Sequence, residues 1–187
     1  MAEPAFERMD LATFLKWHDR QPSEERYELV HGRPRLMVRP VIVHQLILKN
    51  TCIALDEELQ DGPCFSVPEI LIEVSADTYR IPDVSVLCDR DEIGESHGEK
   101  PVVLMEVLSP STLDVDLYEK HEEYRGLASV KHFAFLSADR AQVALWSVND
   151  DGAWTVETFE GLDTAVPMPA IGVTLPLSRL YRDTGLE

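Results

Sequence analysis

Apolar residues along this chain change spacing several times, and each change marks an element. In residues 10–20 (DLATFLKWHDR), Leu11, Phe14, Leu15 and His18 fall on one side of a short amphipathic helix. RYELV and RPRLMV, separated by the turn dipeptide HG, predict a β-hairpin. Residues 41–60 (VIVHQLILKNTCIALDEELQ) are apolar at nearly every turn and end in polar residues before the stop signal DGP, which predicts a long, largely buried helix. Strands follow at CFSV and ILIEV, split by Pro68, and at IPDVSVLC, beginning at or just after Pro82, where proline is tolerated.

The charged stretch DRDEIGESHGEK predicts a loop, and PVVLMEVLS a strand covered on both faces. Residues 112–126 (TLDVDLYEKHEEYRG) predict a helix ending near Gly126. HFAFLS, QVALWSV and WTVETFE, joined by ADR and NDDG, predict further strands before the closing TLPLSRLY. The succession predicts an α/β (α+β) fold, a mixed central β-sheet flanked by helices. At 187 residues, without repeats or Gly/Ser linkers, the chain reads as a single domain over 1–187 with its core at about 10–181.

Composition adds three constraints. The 44% hydrophobic content suits a globular protein, no apolar run is long enough to cross a membrane, and MAEPAFERMD lacks a signal-peptide core, so a cytoplasmic location is expected. Cys52, Cys64 and Cys88 are widely spaced among apolar neighbours and read as buried free thiols, and the six histidines lack zinc-site spacing. The net charge of −17 opposes nucleic-acid binding by the surface as a whole. Yet Leu29 to Leu55 holds no acid while carrying His31, Arg33, Arg35, Arg39, His44 and Lys49. That basic segment, 31–49, offers either a stripe for a phosphate backbone or ordinary solvated charge.

Glu106 is the only charged residue from Pro101 to Leu113, in the middle of an apolar strand. A carboxylate there must be protonated, hydrogen-bonded, paired with Arg or Lys, or bound to a metal. Asp83, at the start of IPDVSVLC, raises the same question, although a strand-start or turn role also explains it. Two acids on neighbouring strands could converge on Mg²⁺, which is held by one or two carboxylates plus water. Asp116, Lys120 and Tyr124 recur every four residues on the next helix, so Lys120 is either an i,i+4 surface partner of Asp116 or an amine beside a metal-bound water.

The order YELVHG, His44–Gln45, IPDVSVL, MEVLSPST and then D-x-x-x-K-x-x-x-Y at 116–124 resembles the Uma-type restriction endonuclease family of the PD-(D/E)XK nuclease superfamily, from Asp10 to about Tyr181. The resemblance implies a restriction-endonuclease-like fold, with Asp83 and Glu106 as metal-binding acids and Lys120 as the active-site lysine. It also implies Glu28 as an extra acid from the N-terminal hairpin, with His44, Gln45 and Tyr124 as accessory residues. One departure is plain. The superfamily's lysine usually lies two positions after the glutamate, where this chain has Leu108.

The function this predicts is Mg²⁺- or Mn²⁺-dependent endonucleolytic hydrolysis of phosphodiester bonds in DNA, with DNA engaged through segment 31–49 and the chain acting as a homodimer or higher homo-oligomer. Two alternatives remain at this point. One is a nuclease-fold protein that binds nucleic acid or a partner protein without cutting. The other is a structural subunit that uses the Trp146 and Trp154 hairpin as its contact.

Overall fold

The computed structural model describes residues 8–37, 39–92, 97–108 and 115–187. After helix α1 (Leu11–His18), capped by the Asp10 carboxylate accepting from the Thr13 amide, come strands β1 (Tyr27–Val30) and β2 (Arg33–Leu36). Their turn places His31 and Gly32 at φ 50° and 74°, the positive values a two-residue hairpin loop demands. Helix α2 (Ile42–Leu59) follows, then β3 (Phe65–Pro68), β4 (Ile72–Ser75), β5 (Thr78–Arg80) and β6 (Val84–Leu87). Strand β7 (Pro101–Leu108), helix α3 (Val115–Gly126), and β8 (His132–Ser137), β9 (Gln142–Val148) and β10 (Trp154–Glu160) form the second half. The hairpin β11 (Ala165–Met168) and β12 (Val173–Pro176) and helix α4 (Leu177–Leu180) close the chain.

The main sheet has the order β10-β9-β8-β7-β6-β3, and β7 with β8 is its one parallel pair. Parallel neighbours need a crossover, and α3 is that crossover. A smaller antiparallel sheet, β2-β1-β5-β4, carries the N-terminal hairpin. The expected mixed sheet flanked by helices is therefore present, with a second sheet beside it.

Alternation along β7 sorts its side chains between two apolar clusters. Val103, Met105 and Val107 join Ile47, Leu48, Ala54 and Leu55 of α2, along with residues of β11, β12 and α4. Leu104 packs on the other side with Tyr124 of α3, Phe133 and Phe135. Glu106 shares the parity of Leu104, which turns it toward α3 rather than α2.

Two readings change. Cys64 and Cys88 are joined in a disulfide, so only Cys52 is free. The cause is register: Phe65 pairs with Leu87, and one step outward Cys64 meets Cys88. Burial pushes the remaining Cys52 thiol up to about 11. The second change is strand β5 (Thr78–Arg80), which was not expected and pairs with β4, the strand expected at ILIEV, as a hairpin of the smaller sheet. Residues 112–114, where the third helix was expected to start, and 109–112 of the MEVLSPST motif lie outside the described residues.

Candidate active site

The pairing of Val84 with Met105 continues by one step to set Asp83 across from Glu106. Residues opposite each other in an antiparallel pair point to the same face. Each of the two acids is 7% exposed. The Asp83 Oδ2 accepts the Val107 amide at 2.6 Å, which ties the carboxylate to the strand that carries Glu106. His44, near the start of α2, brings its Nε2 to 3.2 Å from the same oxygen. The His44 Nδ1 is buried without a hydrogen-bond partner among the described residues.

Helix α3 lies over Glu106. Its Lys120 Nζ stands 2.9 Å from Glu106 Oε1, and one turn later the Tyr124 hydroxyl donates to the same oxygen at 2.5 Å. The i,i+4 spacing of a helix is what lets both reach one acceptor. From β1, Glu28 brings its Oε1 to 3.5 Å from the same ammonium. That oxygen also accepts the Ile81 amide at 3.1 Å, and its partner Oε2 accepts from Arg80 Nη1 at 3.0 Å. Lys120 is therefore the counter-ion of two buried carboxylates; the side chain of Asp116, its other expected partner, lies outside the described residues.

Arg80 was not a sequence candidate, yet it organises this corner. It is fully buried, bonds Glu28 on β1, and donates through Nε and Nη2 to Glu123 at 2.7 and 2.9 Å and through Nη2 to Glu119 at 3.2 Å. Glu119 and Glu123 flank Lys120 on α3, so one guanidinium fixes both the helix that carries the lysine and the strand that carries Glu28. The only sequence signal was Arg80 itself, a charge next to a run of buried positions.

The charges set the proton affinities. Burial pushes the Glu106 carboxyl up, with the Asp83 and Glu28 charges adding to it; the Lys120 ammonium and the Tyr124 hydrogen bond offset this in part, and the carboxyl settles at about 7. Burial also pushes Glu28 up, but Lys120 and Arg80 outweigh it and hold that carboxyl below its usual range. For Lys120, burial works against the charged form and loses to the Glu106 and Glu28 carboxylates, so its affinity for the proton is raised. His44 is raised in the same way, burial being outweighed by the bond to Asp83.

Among the predicted residues, the structure brings together Asp83, Glu106, Lys120, Glu28, Tyr124 and His44. Gln45 is exposed on α2, and among the described residues no hydrogen bond links its side chain to the cluster. In the basic segment, Arg35 donates to Glu119 at 3.1 and 3.2 Å, so part of its charge is spent within the molecule, while Arg33, Arg39 and Lys49 are exposed.

The donor set at Asp83 and Glu106 is all oxygen, buried, and opposed across two paired strands. This fits a hard divalent cation such as Mg²⁺ or Mn²⁺, which keeps water in its remaining positions. A trio with ligand atoms within 4.8 Å of one another forms elsewhere, from Glu73, His97 and Glu99, and no sequence spacing announces it.

Residues 11–178 match the family described as "Uma2: Putative restriction endonuclease". An uncharacterised protein of Synechocystis sp. (strain ATCC 27184 / PCC 6803 / Kazusa) is 27% identical over 180 residues, covering 95% of this chain and 93% of that protein. A solved structure described as a putative nuclease belonging to DUF820, from Anabaena variabilis ATCC 29413, superposes with a TM-score of 0.71 at 20% identity, covering 92% of this chain and 97% of the other. At that identity the likeness speaks to fold. No described helix is long and apolar enough to cross a membrane.

Proposed function

The chain belongs to the Uma2 family, and from that membership we propose that it is a metal-dependent endonuclease hydrolysing phosphodiester bonds in DNA. The observation that carries the reading is Glu106: a carboxylate inside an apolar strand, faced by Asp83 and gripped by Lys120 and Tyr124.

Asp83 and Glu106 are the residues that would hold Mg²⁺ or Mn²⁺, which when bound supplies a water of lowered pKa and a counter-charge for the phosphoryl oxygens. Lys120 sits against Glu106 and presents the ammonium of the cluster, which would orient an attacking water and meet negative charge growing on phosphate. Tyr124 holds the Glu106 oxygen by a hydrogen bond. The Val107 amide fixes the Asp83 carboxylate, and His44 steadies it from the α2 side. Against the effect of burial, Glu106 and, after it, Glu28 keep Lys120 charged. Because the Glu106 carboxyl lies at about 7, a cation must compete there with a proton, and loading strengthens as pH rises through neutrality.

A second reading, a nuclease fold that binds without cutting, is favoured by the net charge of −17. Plasmid nicking in Mn²⁺ separates the two. Wild type is expected to nick, and Asp83→Ala to lose at least a hundredfold of that rate, on the order of removing a group that stabilises transition-state charge. Equal rates in the two proteins would overturn the assignment.

A further inference from the structure

A cavity of about 910 Å³ opens beside the Glu106 site, between α3 and the strands β7, β8 and β9. Its floor continues the row that contains the carboxylate. Glu106 pairs with Phe135, and Phe135 with Ala144, so the apolar surface begins one strand away from the acid. Leu108, two residues beyond Glu106 and on the same face of β7, is a wall of the cavity. The helix that gives Lys120 and Tyr124 to Glu106 gives Tyr118 and His121 to this cavity.

The walls have a particular chemistry. Tyr118 is 72% exposed, a large ring held out toward solvent. Trp146 backs the space and is itself fixed by stacking on Phe133 at 5.0 Å and 7° between planes, with His121 and Phe135 edge-on to it at 5.3 and 5.1 Å. Ser137 and Gln142 bring donors and acceptors to an otherwise apolar space, Glu122 and Asp139 bring carboxylates, and the Arg140 guanidinium is turned to Gln142 at 3.2 Å and Glu160 at 4.0 Å. Flat rings and hydrogen-bonding edges beside the proposed metal site match a nucleobase, while the Glu122 and Asp139 carboxylates make the cavity a poor seat for a row of phosphates. A base inside a duplex cannot enter a concave cleft unless it leaves the stack. The charge of −17 points the same way, because base stacking supplies affinity that does not depend on neutralising a dense double row of phosphates.

We propose that this cavity is a stacking subsite for an unpaired nucleobase, so that the substrate is single-stranded DNA or DNA with an extruded base beside the bond to be cut. The inference rests on the nuclease reading of the Glu106 site.

The experiment is fluorescence anisotropy in EDTA, where binding is read without cleavage. The probes are a labelled single strand, the same strand with abasic sites, and its duplex. The expected result is tighter binding of the single strand than of the duplex, with a loss of roughly tenfold or more on removing the bases. Tyr118→Ala, an exposed substitution that leaves the core intact, should lose a similar factor on the single strand and nothing on the abasic strand. Ala144→Leu, which fills the floor, should act alike. Preference for the duplex, unchanged single-strand binding in both variants, or no binding of any probe would overturn the subsite. The outcomes also separate the two claims: base-dependent binding by a wild type that never nicks supports the subsite and refutes the cleavage reading. Nicking with unaltered binding in both variants does the reverse.

Discussion

Replacing Arg80 with methionine tests the electrostatic account of this fold most directly. The side chain is wholly buried, and methionine keeps much of its apolar stem while deleting every hydrogen bond to Glu28, Glu119 and Glu123. The three acids do not suffer equally. The Glu119 and Glu123 side chains are 34% and 16% exposed and can turn toward water, and Glu119 keeps Arg35. Glu28, at 4% exposure, cannot; it retains the Ile81 amide and Lys120 at 3.5 Å. Breaking a buried pair by removing one partner costs about 3–5 kcal/mol, and for a chain of this size that corresponds to a fall of roughly 6–20 °C in Tm.

Urea unfolding and thermal melts at pH 7.5 measure the loss, and a pH series identifies its origin. In the wild type the Glu28 carboxyl lies below its ordinary value, so its contribution is present above the unfolded pKa of 4.5 and fades as pH falls through the lowered folded value. The gap between Arg80→Met and wild type should therefore narrow below about pH 4.5. Adding Glu28→Leu to Arg80→Met should recover much of the stability, because the stranded charge is then gone. A single variant within about 1 kcal/mol of wild type, or a gap that does not change with pH, would refute the reasoning.

Two further outcomes follow from Glu106. Its folded pKa of about 7 stands above the unfolded 4.5, so its contribution to stability is full below 4.5 and is lost as pH rises to 7. Glu106→Gln should then gain on wild type by up to about 3 kcal/mol between pH 4 and pH 8 without added metal, read from urea midpoints at each pH. Tyr124→Phe removes a 2.5 Å bond that favours the charged carboxylate; carboxyl NMR should show Glu106 titrating at higher pH, and the acid limb of the nicking profile should move up with it.

The parts of the site that declare themselves in the sequence do so because they break a local rule. Glu106 is visible as a charge within PVVLMEVLS, where only apolar residues are expected of a strand covered on both faces. The long helix α2 and the hairpin turn at His31–Gly32 are equally local and fall where the pattern puts them. What stays hidden depends on register and distance. Arg80 meets Glu28 across 52 positions and Glu123 across 43, and nothing in TYRIPD shows that three acids will enclose it. The Cys64–Cys88 bond likewise needs the β3–β6 pairing, which no composition argument supplies. Residues 70–81 lack an Asn-Gly-type dipeptide, so their hairpin has no turn signal, and Ile72 at its base is set by contact with the α3-side cluster.

Carrying the lysine on α3 instead of on β7 divides the site between two bodies held together by different forces. The acids belong to a hydrogen-bonded sheet with an apolar core behind it. Half the residues of the helix, VDLYEKHEEYRG, are charged, and among the described residues of α3 it is Tyr124 that is buried. Ion pairs of Glu119 and Glu123 with Arg80 and Arg35 and of Lys120 with Glu106 and Glu28 add to the His121 ring contacts in attaching it. Screening ions weaken the exposed Arg35 pair more than the buried bonds of Arg80, Lys120 and Tyr124. A local opening of α3 would take the Lys120 ammonium away and leave the sheet-borne carboxylates standing, so the charge balance at Glu106 depends on the docking of a single helix.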